Sequence, residues 1–175
     1  MTAVAVALIL AGTPRATGTT AVMGISASVN ANCTVSATAL SFGQYESLLA
    51  NASTALNAAG TVSIACTKGT APRISMDFGQ NSSAGKRYMA LVASASPGTA
   101  STLQYELYQP PNPTPGTRCS FPGTTLWGSS AGEIFVPTPP KSRSPRTYSV
   151  CGTIPAGQFA VMGIYADTVV ATVNF

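Results

Sequence analysis

Residues 23–35 read MGISASVNANCTV, and their alternation decides the fold. Met23, Ile25, Ala27, Val29, Ala31, Cys33 and Val35 fall on one side of an extended chain. Gly24, Ser26, Ser28, Asn30, Asn32 and Thr34 fall on the other. Successive side chains of a strand point to opposite faces, so a period of two sustained this long predicts a half-buried strand. The same period recurs downstream. It sets Val62 and Ile64 together within residues 61–66, and Ile74, Met76 and Phe78 within 73–78. It also groups Leu103, Tyr105 and Leu107 within 103–108. In the last run, residues 168–175, Val169, Ala171, Val173 and Phe175 oppose Val170, Thr172 and Asn174. Shorter runs lie at 88–93, 133–136, 148–151 and 159–165. Gly79-Gln80-Asn81 and Pro97-Gly98 read as turns. The proline-rich stretches 110–116 and 137–145 belong at sheet ends or edges, because proline cannot donate into a central ladder. Residues 47–59 alone tolerate helix and read as a loop with one turn. Many short strands punctuated by turns predict an antiparallel sandwich or barrel.

Composition narrows the function. The chain has 175 residues, the length of one domain with a sizeable core. Charged residues make up 8% and hydrophobic ones 45%, so the chain is ordered but its surface must be built of Ser, Thr, Asn, Gln and Gly. Such surfaces suit extracellular proteins and repeated assemblies. The net charge is +4, yet among the basic residues only Lys141, Arg143 and Arg146 lie close together, around prolines. A nucleic-acid partner would need a denser stripe with aromatics interleaved, so none is expected.

The chain contains no His and five acidic residues, Glu46, Asp77, Glu106, Glu133 and Asp167. There is no imidazole base, and no glycine-rich phosphate loop ahead of a helix. Neither a catalytic residue nor a cofactor site is expected. Cys33, Cys66, Cys119 and Cys151 are too far apart for a CxxC pair, which argues against a metal site. Their even number predicts two disulfides in an oxidising compartment. Three connectivities are open. Cys33–Cys66 with Cys119–Cys151 is favoured, because each bridge then staples neighbouring strands. Oxidised cysteines also offer no thiolate nucleophile.

Residues 3–12, AVAVALILAG, are too few to span a bilayer as a helix, which takes about 20 residues, but they match the apolar core of a secretory signal. Cleavage is expected after Ala16, Gly18 or Ala21. No basic residue precedes the run, which is expected to lie further upstream. The competing expectation makes residues 1–12 a buried strand. No other segment is apolar enough to span, so no integral membrane segment is expected in the mature chain.

An ordered set of motifs carries a family resemblance. Asn32-Cys33-Thr34 follows the alternating stretch, then Leu40-Ser41-Phe42-Gly43-x-Tyr45 and Gly60-Thr61-Val62-Ser63-Ile64-Ala65-Cys66-Thr67. Later come Arg87-x-Met89, Leu103-x-Tyr105-x-Leu107-Tyr108, Trp127-Gly128 and Ile154-Pro155-Ala156-Gly157-Gln158. Gly163-x-Tyr165-x-Asp167-Thr168 then leads into the alternating C-terminus. Over roughly residues 22–175 the chain resembles the spore coat protein U domain family, which includes subunits of archaic (Csu-type) chaperone–usher pili.

The resemblance implies an immunoglobulin-like antiparallel β-sandwich, all-β and incomplete. Its last strand is missing and is supplied by donor-strand complementation. Residues 1–21 would be a signal remnant, 22–32 an N-terminal donor strand, and 33–175 the incomplete domain. Met23, Ile25, Ala27, Val29 and Ala31 match the donor strand. Cys33 and Cys66 match the family's disulfide, whereas Cys119–Cys151 rests on parity alone. Val169, Ala171, Val173 and Phe175 would border the groove. The implied partners are neighbouring subunits joined head-to-tail, a periplasmic chaperone and an outer-membrane usher. The implied location is an extracellular fibre reached through the periplasm, with roles in adhesion and biofilm formation.

Other readings stay open at this level. Residues 23–31 could be an ordinary first strand paired within its own chain, or could fold into their own groove to give a self-complemented coat or matrix protein. Trp127-Gly128 could be a sugar-stacking platform of a carbohydrate-binding adhesin, but a core or loop anchor fits better. Tyr165 and Asp167 resemble an acid–base pair but fit a structural tyrosine corner better. Asn32, Asn51 and Asn81 begin glycosylation sequons.

Overall fold

A computed structural model of the chain describes residues 17–93 and 100–175. The apolar run at 3–12, most of the expected leader 1–21, and the Pro97-Gly98 turn lie outside the described residues. Eight strands occur among the described residues: β1 (Cys33–Thr38), β2 (Leu56–Cys66), β3 (Arg73–Met76), β4 (Arg87–Ala93), β5 (Thr102–Tyr108), β6 (Arg146–Ile154), β7 (Ile164–Ala166) and β8 (Ala171–Asn174). They form a six-stranded sheet in the order β1-β2-β6-β5-β4-β7 and a two-stranded sheet of β3 and β8. Every pairing is antiparallel.

β2 is the spine of the larger sheet. Val62, Ile64 and Cys66 alternate with half-buried neighbours and point into the core. Along one edge β1 sets Cys33 opposite Cys66 and Thr38 opposite Thr61. Along the other, β6 sets Arg146 opposite Ile64 and Ile154 opposite Leu56. The core lies between the layers. The larger sheet contributes Leu103, Tyr105, Leu107, Tyr148 and Val150, the smaller one Ile74 and Met76. Trp127 and Phe135 enter it from the long segment between β5 and β6. Their rings are 5.0 Å apart, and Phe135 meets Tyr148 edge-on at 5.1 Å.

Two glycines let the chain cross this sheet closely. A Cβ at Gly152 would lie 2.8 Å from both Leu40 Cδ1 and Phe42 Cζ. One at Gly60 would lie 3.1 Å from Leu40 Cβ. Leu40 and Phe42 therefore pack over β2 and β6 only because those positions lack side chains.

Several strands differ in extent from the sequence reading. β2 begins five residues earlier than expected, at Leu56, because β6 pairs with the Leu56–Gly60 stretch despite its weak strand propensity. Residues 47–59 hold a short 3-10 turn, Ala50–Ala52, before β2 begins. The run at 133–136 makes one bridge, between Phe135 and Ile74. The run at 159–165 yields β7 only from Ile164.

Disulfides join Cys33 to Cys66 and Cys119 to Cys151. The second ties the loop after the proline-rich stretch to the centre of β6, across 32 residues of sequence. Closing a loop of that size restricts the unfolded chain by about 3.5–4 kcal/mol. The double variant Cys119→Ser/Cys151→Ala, which lacks the bridge, is expected to have an unfolding free energy lower than the parent's by at least that much, since Cys151 is fully buried. Urea titration of the variant against the parent, with Cys33–Cys66 oxidised in both, measures it.

Candidate functional site: a vacant strand position

β1 is one of the two outer strands of the larger sheet, β7 being the other, and β8 belongs to the smaller. The far side of β3 is occupied. Ile74 N–H donates to the Phe135 carbonyl at 2.8 Å, and Phe135 N–H donates back at 2.9 Å. Met76 N–H donates to the Gly128 carbonyl at 3.2 Å. The far side of β8 has no neighbouring strand among the described residues.

Side-chain exposure shows the same gap. Residues directly opposite in an antiparallel ladder share a face. Val35 is opposite Ile64, and Ala37 is opposite Val62. Ile64 and Val62 are 1% and 0% exposed, yet Val35 is 48% exposed and Ala37 is exposed too. The inner face of β1 thus opens to the outside. β8 behaves likewise. Val173 and Ala171 lie opposite the buried Ile74 and Met76 but are only half-buried, and Phe175 is 54% exposed. Of the four residues named from sequence as groove-bordering, Ala171 and Val173 lie in β8 and Val169 and Phe175 flank it, and Val169 and Ala171 line a cavity there.

A trough follows the gap. One cavity of about 440 Å3 runs between Ala37–Leu40 on one wall and Val169 and Ala171 on the other, over Met76, Leu107 and Val150. A second, of about 760 Å3, continues it and shares Leu40, Phe42, Met89 and Tyr165. Leu48, Leu49 and Phe159 edge this second part and are largely exposed. An unpaired strand edge beside an open apolar trough is costly on both counts.

The alternating stretch that opened the sequence reading takes no part in either sheet. Residues 17–32 form no strand, and Met23, Ile25 and Val29 are 82%, 89% and 84% exposed. Ala27 and Ala31 are exposed as well. Only the last residues are tied down. Thr67 N–H donates to the Asn32 carbonyl at 2.8 Å, and the Thr67 hydroxyl reaches the Asn30 carbonyl at 3.4 Å. The expected strand over residues 23–35 therefore begins only at Cys33, because its earlier half has no backbone partner. In this conformation the segment is neither an in-chain first strand nor folded into its own groove.

The polar groups around the trough hold structure together. The Tyr165 hydroxyl donates to the Val161 carbonyl at 2.7 Å and lies 2.8 Å from Ser101 Oγ, as a tyrosine corner would. Asp167 Oδ1 accepts from Gln80 N–H, Asn81 N–H and Asn81 Nδ2, while Oδ2 accepts from the Tyr105 hydroxyl at 2.6 Å. Burial, reinforced by that bond, holds the Tyr105 phenol far above its ordinary pKa. Asp167 also fixes Gly79, where a Cβ would fall 2.0 Å from Oδ2 and where φ is +81°.

Burial decides between the readings left open at Trp127 and Asn51. Trp127 is 0% exposed, and its Nε1 donates to the Ile74 carbonyl at 3.0 Å. It is a core anchor and offers no face to a sugar. Asn51 is 5% exposed, with Oδ1 accepting from Glu46 N–H and Nδ2 donating to the Thr54 carbonyl. It is not presented for glycosylation. Arg87 went unassigned from sequence beyond its place in a motif. It is 1% exposed, donating from Nε and Nη2 to the Asp77 carbonyl and from Nη2 to the Trp127 carbonyl. Burial lowers its pKa, partly offset by the charges of Tyr105 and Glu106.

Among the described residues no helix is long and apolar enough to cross a membrane, and no group of acidic or sulfur ligands is placed to hold a metal. The model of the Spore Coat Protein U domain matches residues 19–172. Among solved structures, the chain is similar to one in the crystal structure of the CsuC–CsuE chaperone–tip adhesion subunit pre-assembly complex from archaic chaperone-usher Csu pili of Acinetobacter baumannii. That match has 19% identity and a TM-score of 0.54, covering 84% of this chain and 40% of the other. The chain thus spans less than half of that relative's length, and the likeness is one of fold. A second similar structure is the E. coli Hda pilus minor tip subunit HdaB, at 15% identity and a TM-score of 0.37, covering 81% of this chain and 79% of that one. No curated protein matches.

Proposed function

The chain belongs to the Spore Coat Protein U domain family, and from that premise we propose that it is a non-catalytic structural subunit of a surface fibre of the archaic chaperone–usher type. One observation carries the reading: among the described residues no strand lies beside β8 on its far side, and the same chain exposes an apolar alternation at residues 23–31 that joins no sheet. In this reading residues 1–21 are a leader, 22–32 the donor segment and 33–175 the acceptor domain. Met23, Ile25 and Val29 of one copy fill the trough of the next, with Ala27 and Ala31 at shallower sites.

A donor strand supplies both missing things, main-chain partners for β8 and side chains for the trough. Each large side chain contributes about 1.5–3 kcal/mol on full burial. Ladder bonds add about 1 kcal/mol each. Ordering the segment offsets part of this. One trough and one segment per copy make a head-to-tail contact that does not close, which builds filaments.

The complex from A. baumannii joins a chaperone to a pilus subunit before assembly. By analogy, a periplasmic chaperone would hold this trough until an outer-membrane usher exchanges it for the next subunit. The fibre would then stand outside the cell and serve adhesion and biofilm formation. Negative-stain images of the purified oxidised mature chain test the reading. Fibres are expected, and deletion of residues 22–31 should leave monomers. Monomers alone from the undeleted chain, at any concentration, would count against it.

A further inference from the structure

Among the described residues the charges are largely sorted between the two ends of the domain. Call the end bearing Cys33 and Cys66 the first end; β1 starts and β2 finishes there. Arg146 opens β6 at the same level, opposite Ile64. Lys68 follows Cys66 in an exposed turn, and Arg73 opens β3 opposite Asn174, near the chain terminus. Lys141 and Arg143 are exposed in the loop entering Arg146, whose guanidinium donates to the Thr138 carbonyl. Arg118 lies beside this half of β6, since Gly116 N–H donates to the Thr147 carbonyl and Ser149 to the Thr117 carbonyl. None of the five acidic side chains is there.

The acids occupy the other half. Glu46 sits beside Pro155, just past the end of β6, through Tyr45 and Asn51. Asp77 follows β3, and Asp167 binds the Gln80–Asn81 turn beyond it. Glu106 is level with Thr153 and Asn57, and Glu133 packs on Gly128, level with Met76. Among the basic groups of the described residues, only Lys86 and Arg87 accompany these five, and the Arg87 guanidinium lies 3.9 Å from Glu106.

We propose that the basic end of one copy docks on the acidic end of the next, so that a charge-complementary seam between two copies of this chain aligns them end to end. This rests on the donor-strand reading above and deepens it. The segment 23–31 leaves the domain at the basic end, through Asn32 and its bonds to Thr67. An incoming segment can therefore enter a neighbour's trough from either end. Entry from the neighbour's basic end would set like charges together. Entry from its acidic end sets opposite charges together, and places Ala31 near Glu46 and Asp77. Opposed potentials raise association rates and fix register, and like-charge contacts are penalised.

The test follows assembly of the purified full-length mature chain by light scattering, across ionic strength. Lys141→Glu with Arg143→Glu, both in an exposed loop, is expected to slow elongation about tenfold at low salt, with little difference near 1 M salt, where screening acts within a few ångström. Adding Glu46→Lys should restore part of the rate. In parallel, uptake of a synthetic peptide of residues 22–31 by a chain lacking those residues reads the trough alone. Uptake with elongation indifferent to salt and to the double reversal would overturn the seam and leave the donor strand standing. Failure of uptake would remove the donor-strand reading, and the seam with it. If the reversal abolishes binding to anionic phospholipid vesicles while elongation is unchanged, the basic end serves an anionic surface and the seam is likewise overturned.

Discussion

Val29→Asp is expected to abolish fibre formation while leaving the free subunit as stable as the parent. Val29 is 84% exposed and belongs to no strand, so its replacement should change folding free energy by no more than about 0.5 kcal/mol. At a junction the same side chain enters an apolar trough. The variant forfeits about 2 kcal/mol of burial there. It also carries a carboxylate into a site with no cation, which costs several kcal/mol more or forces protonation. A combined penalty of about 4 kcal/mol weakens each junction about a thousandfold. Ile25→Asp should behave alike, and Ser28→Asp, on the opposite face, should be far milder. Urea unfolding of the monomer with sedimentation of the assembled material separates the two effects. A large loss of monomer stability in Val29→Asp would show that the segment packs on its own domain.

The second large effect lies in the core. Arg87→Leu should destabilise the folded subunit by about 3–5 kcal/mol, the range for removing one partner from a buried charged network. The guanidinium lies within 2.7 Å of the Asp77 and Trp127 carbonyls and also reaches Met76. It stacks 5.3 Å over the Phe78 ring. Leucine keeps apolar volume but leaves those carbonyls buried without donors, at about 1–3 kcal/mol for each. Arg87→Lys should recover only part of the loss, because one ammonium cannot span carbonyls from two segments in the planar geometry of a guanidinium. The midpoint of urea unfolding reads both variants. Equal stability of Arg87→Leu and the parent would show that the carbonyls find other donors.

The readable parts of the fold were those where side-chain period and burial agree. Val62, Ile64 and Cys66, and Leu103, Tyr105 and Leu107, alternate because one face of each strand meets a full core, and that pattern is local. The start of β2 was hidden because Asn57, Ala58, Ala59 and Gly60 have little strand propensity. Pairing with β6 and the crossing of Leu40 over Gly60 hold them extended, and both are tertiary effects. Arg87 was hidden because a lone arginine reads as surface until the carbonyls around it are placed. Residues 23–31 posed a different difficulty. A strand that completes its own sheet and a strand offered to another molecule have the same alternation, since both bury one face. Only the exposure of Val35 and the half-burial of Ala171 and Val173 mark where a partner is lacking. The charge sorting was equally invisible along the chain, because Arg73 and Arg146 reach the end that bears Cys66 only through strand order and register.

The vacant position beside β8 is tested most directly by amide hydrogen exchange on a chain lacking residues 22–31, with and without a peptide of that sequence. With peptide, the amides of β8 and of Val35–Ala37 should slow by at least a hundredfold, while those of β5 and β6 change little. Exchange in β8 that is already slow without peptide and unaltered by it would mean that the edge is satisfied from within, and would contradict the account.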